Sequence, residues 1–113
     1  MNKREELIVK YVADIKEKFG ENPDMDLLTK VTVGLGPSIY NLDASRVSGS
    51  DEKELDTVKN NYLINKLGLA DSDELIQAVN GIIDQYGRAD KNKYRAVIYY
   101  MLCKHFGKES VYN

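Results

Sequence analysis

The sequence predicts an all-α fold: a compact single-domain bundle of five to six helices, with the C-terminal helix (about 91–106) at its centre. Three observations carry that reading. Four amphipathic stretches end in a polar residue, a large apolar residue and glycine: Lys18-Phe19-Gly20, Lys66-Leu67-Gly68, Gln85-Tyr86-Gly87 and His105-Phe106-Gly107. Glycine lacks a Cβ, so it adopts the left-handed conformation that stops a helix. Short polar residues suited to N-capping precede most of the same stretches. Finally, Ala96 to Cys103 is apolar on nearly every side of a helical wheel, as in a helix packed on several faces.

The first helix runs from about Lys3 to Phe19, with Asn2 as cap and Glu5 as the reciprocal partner. Its apolar stripe is Leu7, Ile8, Tyr11, Val12, Ile15 and Phe19. After Gly20-Glu21-Asn22-Pro23, Asp24 caps a second helix carrying Leu27, Leu28 and Val31. The β-branched Val31-Thr32-Val33 leaves two readings open. One is a helix broken at Gly34-Leu35-Gly36-Pro37; the other is a strand and glycine turn that could cradle a phosphate. The second lacks the Lys-Ser/Thr pair of a P-loop, and Pro37 removes a donor. A short helix follows from Ser38 to Asn41.

Residues 41–50 are the most loop-like stretch. Ser50 is the expected cap of a helix from Asp51 to Leu67, with acidic residues in its first turn. The next helix, Ser72 to Tyr86, has the cleanest stripe: Leu75, Ile76, Val79, Ile82, Ile83 and Tyr86. Val111 and Tyr112 in the tail are expected to dock on the bundle.

The 113 residues, 42% hydrophobic and 30% charged, suit one soluble domain over residues 1–113. The net charge of -2 gives no strong field toward nucleic acid or anionic lipid. Charge is unevenly placed: residues 1–87 hold 10 basic and 16 acidic residues, whereas 88–108 hold six basic residues against Asp90. A single cysteine fits a reducing, cytoplasmic setting. The N-terminus lacks the apolar segment of a secretory signal, and the longest apolar run is too short to span a membrane.

No catalytic constellation is legible. The single Cys103 and single His105 lie two residues apart on a helix and diverge by about 160°. No CxxC or common zinc pattern is present, and no cofactor is expected. Asp71-Ser72-Asp73-Glu74 reads as helix capping rather than a calcium loop. Polar residues do fall on apolar faces: His105 and Arg95 on the last helix, and Asn60 near Ile64 and Leu67. Asn60, Arg95 and His105 could line a small-anion pocket; alternatively, Arg95 pairs with a carboxylate while Asn60 and His105 make local structural contacts. Lys93, Lys104 and Tyr100 could form a surface for an anion or nucleic acid, since lysines neutralise phosphates and tyrosines stack on bases.

Particular strings add a resemblance. They are Met25-Asp26-Leu27-Leu28-Thr29, Gly36-Pro37-Ser38-Ile39-Tyr40-Asn41, and Val58-Lys59-Asn60-Asn61 with Lys66-Leu67-Gly68-Leu69. Arg95-Ala96-Val97-Ile98-Tyr99-Tyr100 and His105-Phe106-Gly107-Lys108-Glu109-Ser110-Val111-Tyr112 complete the set. Together they resemble a small bacterial family, domain of unknown function 2853. The resemblance implies a mostly helical single-domain protein and no particular activity. The leading expectation is a non-catalytic module that binds a protein partner or another copy of itself. A binder of a small anion or nucleic acid comes second. An enzyme using Arg95 and His105 comes third.

Overall fold

The first three α-helices begin where a side chain accepts the orphan N–H groups of a first turn, and the last where a loop pins the backbone. The computed structural model describes all 113 residues. α1 spans Lys3–Phe19; Asn2 Oδ1 accepts from the Glu5 amide at 2.9 Å, and Gly20 at φ 66° closes the helix. α2 spans Met25–Gly34, capped by Asp24, whose Oδ1 accepts from the Asp26 and Leu27 amides at 3.0 and 3.2 Å. The ambiguous Val31-Thr32-Val33 is helical. Val31 and Thr32 are buried, and Thr32 Oγ1 donates to the Leu28 carbonyl at 2.8 Å. Burial outweighs β-propensity here. No strand precedes Gly34, so the phosphate-cradle outline is not formed. A 3-10 helix, Gly36–Tyr40, follows at once with Pro37 in its first turn.

α3 spans Glu52–Thr57 and is capped by Asp51 rather than Ser50; Asp51 Oδ1 accepts from the Lys53 amide at 3.0 Å. It continues as a π-helix over Val58–Lys66. The sequence explains the change of winding. Val58, Tyr62, Leu63 and Leu67 are all buried. At about 100° per residue, Val58 and Leu67 would face opposite sides of an α-helix. The wider turn, with hydrogen bonds reaching five residues back, brings all four inward. The exit bond from the Leu67 amide to the Tyr62 carbonyl, at 2.8 Å, has that span.

α4 spans Asp73–Tyr86 and α5 spans Arg95–Phe106. α5 starts several residues after the expected Lys91 because residues 93–95 pair with the 45–47 backbone. The Val47 amide donates to the Lys93 carbonyl and the Arg95 amide to the Ser45 carbonyl, both at 2.8 Å. A last 3-10 helix, Glu109–Tyr112, lays Val111 and Tyr112 on the core. No helix is long and apolar enough to cross a membrane.

α5 is the centre of the bundle. Every residue from Ala96 to Cys103 is buried, and the helix packs against α1, α2 and α4. Tyrosine hydroxyls tie this core to its wrapping. Tyr100 accepts from the Asp24 amide at 2.8 Å, fixing the start of α2. Tyr62 and Tyr99 stack with ring centroids 3.8 Å apart, and the Tyr112 hydroxyl donates to that of Tyr62 at 2.9 Å. The Tyr86 hydroxyl accepts from the Tyr94 amide at 3.2 Å and meets the Asp14 carboxylate, joining α1, α4 and the start of α5.

The Tyr86 contact has a pH signature. Burial holds the Asp14 carboxyl above its ordinary value of 3.8, with the Tyr86 hydrogen bond opposing. As pH rises through the window above 3.8, the unfolded chain releases this proton first, so stability falls. Below 3.8 both states are protonated and the loss disappears. Asp14→Asn keeps an acceptor for Tyr86 without the charge. Its melting temperature relative to the native chain should therefore be higher at neutral pH than near 3.8. A relative melting temperature that is flat with pH would reject the assignment.

Candidate functional site

Asn60, Arg95 and His105 do not come together. Asn60 is exposed, because the π-winding rotates it away from the buried Leu67, beside which an α-helical wheel places it. His105 is also exposed: it lies in the last turn of α5, beyond the continuously buried stretch, in a shallow cleft against α4. Arg95 is mostly buried and fully engaged. Its guanidinium donates to the Ala44 carbonyl at 2.8 Å, the Arg46 carbonyl at 3.2 Å and the Glu54 carboxylate. It also reaches the Tyr99 hydroxyl at 3.3 Å. Arg95 thus pairs with a carboxylate and pins the 41–51 loop.

The basic surface expected on the last helix is also not assembled. Lys104 is exposed, but Lys93 is only 3% and Tyr100 only 1% exposed. Lys93 Nζ donates to the Arg88 carbonyl at 2.9 Å and to the Asp90 carbonyl. Burial lowers its pKa, with Asp90 opposing. A lysine buried this way is a brace for the 88–93 turn, not a phosphate contact. Cys103 is likewise buried, and desolvation raises its thiol pKa, the reverse of what a nucleophile needs. No three His, Cys, Asp or Glu side chains gather as a metal-ligand set.

The largest cleft, about 990 Å³, lies between residues 42–54 and 88–93. Its charged groups are mostly engaged in building the fold. Arg88 donates to the Gly49 carbonyl at 2.6 Å, to Asp84 at 2.7 Å and to Asn80 Oδ1 at 2.9 Å. Glu54 meets Arg95, Lys93 meets two carbonyls, and Asp51 caps α3. Gly49 lets the loop approach closely: a Cβ there would sit 3.0 Å from Ile83 Cγ2 and 3.1 Å from both Arg88 Cγ and Lys93 Cε. This wall is braced by its own side chains.

Asp43, Lys91 and Arg46 make no such bond, and of these Arg46, which also lines a second groove, points to another site. Its side chain makes no hydrogen bond or ion pair, and its guanidinium lies 6.0 Å over the Tyr94 ring. Two buried side-chain polar atoms in the protein lack a partner: Arg46 Nε and the Tyr11 hydroxyl. Both side chains pack against Tyr94, and Tyr11 lies edge-on to it with centroids 5.2 Å apart. Burial, then Tyr94 and Tyr40, push the Tyr11 hydroxyl up to about 12. Buried polar groups are normally paired, so two orphans around one ring are informative.

Tyr94 and Arg46 line a groove of about 320 Å³ between α1 and the 39–46 segment. α1 supplies Lys3, Glu6, Leu7 and Lys10, which share one helical face. The opposite lip carries Tyr40, 53% exposed, and Leu42, 71% exposed. Sequence reasoning missed this groove. Its signal was present, though: two large apolar residues, Tyr40 and Leu42, beside a loop ending in Arg46.

Fold and site together define a small all-α domain with a braced core and a polar-rimmed surface groove, without an assembled catalytic set. Residues 10–110 match the model of the family described as Protein of unknown function (DUF2853), and the chain belongs to that family. No curated protein matches it.

Proposed function

We propose that this domain is a non-catalytic protein-interaction module, and that it docks its partner in the groove between α1 and the 39–46 segment. The observation that carries the reading is that the two side chains with an orphaned buried polar atom, Arg46 and Tyr11, both pack against Tyr94, a wall of the groove that Arg46 itself lines. The exposed Tyr40 and Leu42 supply apolar area on the same lip. The engagement of Arg95 with Glu54 and the separate placement of His105 count against the enzyme reading. The burial of Lys93 and Tyr100 counts against a nucleic-acid surface on the last helix. A buried free thiol at Cys103 fits a cytoplasmic setting.

The test is selection of a displayed random-peptide library on the native chain, followed by binding to a Tyr40→Ser/Leu42→Ser variant. Both positions are exposed, so the variant should melt within about 0.5 kcal/mol of the native stability. Enriched peptides should bind the variant about tenfold or more weakly, as expected for lost anchor residues. Peptides that bind both chains equally, or no enrichment, would overturn the docking groove. Concentration-dependent self-association lost in the same variant would make a second copy of the chain the occupant.

A further inference from the structure

We infer that the groove selects a carboxylate-bearing peptide segment, with Arg46 as the side chain that reads the carboxylate; this rests on the docking reading above. The chain carries a net charge of -2, yet the groove inverts that sign. Lys3, Lys10 and Arg46 line it against the single carboxylate of Glu6, and none of these four makes an ion pair within the protein. The groove therefore keeps an unspent positive field on an acidic molecule, which favours an anionic partner.

Arg46 gives that field a direction. A guanidinium presents N–H donors in a planar fork that matches a carboxylate with two parallel hydrogen bonds. The Arg46 fork is held over Tyr94, and its Nε is already out of water with no acceptor in the chain. The desolvation of Nε has thus been met before a partner arrives. The backbone behind it is fixed as well, because the Arg46 carbonyl accepts from Arg95. Leu7, Ile39, Tyr40 and Leu42 then offer apolar contact beside the charge. The matching segment carries Asp or Glu within a residue or two of a Leu, Ile or aromatic side chain. A volume of about 320 Å³ admits a few side chains of such a segment and not a folded domain.

The random-peptide selection is run in parallel on the native chain and on Arg46→Gln. Native-selected sequences should share an acidic residue next to an apolar one. They should lose about tenfold or more in affinity for Arg46→Gln, as for a lost charge-assisted hydrogen bond. Arg46→Lys keeps the charge without the fork and should recover only part of that loss. Lys10→Glu, on the rim, should weaken the same peptides and reduce the salt dependence of binding. Lys104→Gln, an exposed cation elsewhere, should leave it unchanged. Peptides that need Tyr40 and Leu42 but carry no acidic residue and bind Arg46→Gln equally would overturn this inference and leave the docking groove standing. Peptides indifferent to Tyr40, Leu42 and Arg46 alike would overturn both. Melting curves of each variant separate lost binding from lost folding, and the Arg46 side chain, with no hydrogen bond to lose and only its contact with the Tyr94 ring, should shift the melt only slightly.

Discussion

Arg95→Met is expected to lower the unfolding free energy by about 3–5 kcal/mol, the cost of breaking a largely buried ion pair. For a domain of this size that is a fall in Tm of more than about 10 °C. Two losses add. The Glu54 carboxylate, one-quarter exposed, is left without its partner. The Ala44 and Arg46 carbonyls lose the donors that hold the loop against α5. Glu54→Met in the Arg95→Met background separates them. The double variant should recover the part due to the stranded carboxylate and not the part due to the carbonyls. Full recovery would mean that the loop is held without the Arg95 side chain, by its backbone pairing to residues 93–95 and the Arg88 bond to Gly49. The loop carries Arg46, so Arg95→Met should also weaken groove-directed peptides even at temperatures where the chain remains folded. Thermal melts and peptide binding on the same three variants check both parts.

Arg95 also marks where sequence reasoning succeeds and where it fails. An arginine on an apolar helix face requires a partner, and Glu54 supplies it; the identity of the partner depends on how α3 and α5 cross, which no local pattern encodes. Asn60 shows the opposite case. Its placement on a wheel assumes about 100° per residue. The π-winding of Val58–Lys66 breaks that assumption, because burying both Val58 and Leu67 requires a wider turn. The sequence holds the clue in its apolar spacing of four, one and four residues from Val58 to Leu67. Reading it needs a second winding to be weighed beside the α-helix.

Lys93 and Tyr100 were misread for a related reason. In sequence they sit beside other cations and tyrosines and look like one basic, aromatic surface. In space, Lys93 turns into the carbonyls of its own turn and Tyr100 reaches the start of α2. Several helix boundaries, by contrast, were legible from local caps: Asn2 and Asp24 begin α1 and α2 as expected, and Gly20 and Gly107 end α1 and α5, whereas the cap of α3 is Asp51, one residue after the expected Ser50. The delayed start of α5 was not, since it depends on pairing with residues about fifty positions earlier. The groove joins residues of α1, the 39–46 segment and Tyr94 in the same non-local way. What could be read was the material for it, the apolar Tyr40 and Leu42 in a polar loop.

Leu102→Ala should cost about 3–5 kcal/mol, the range for emptying a large side chain from a core that cannot collapse around the gap. Leu102 is 0% exposed, within eight consecutive buried residues of α5. A helix packed on one side can tilt into such a cavity. α5 is pressed by α1, α2 and α4, and Tyr100 and Arg95 tie it to the start of α2 and to the 41–51 loop. Tilting to fill the space would stretch those bonds, so the cavity should persist and carry its full cost. Val9→Ala, at a position 56% exposed on α1, should change stability by less than about 0.5 kcal/mol. Urea unfolding of both variants measures the contrast, with an unchanged denaturant slope indicating that the unfolded state is not the source. A Leu102→Ala cost near that of Val9→Ala would mean that α5 moves freely enough to close the gap. The bundle could then not be organised around it, and the tyrosine and arginine ties that hold the groove in place would have no fixed frame to act from.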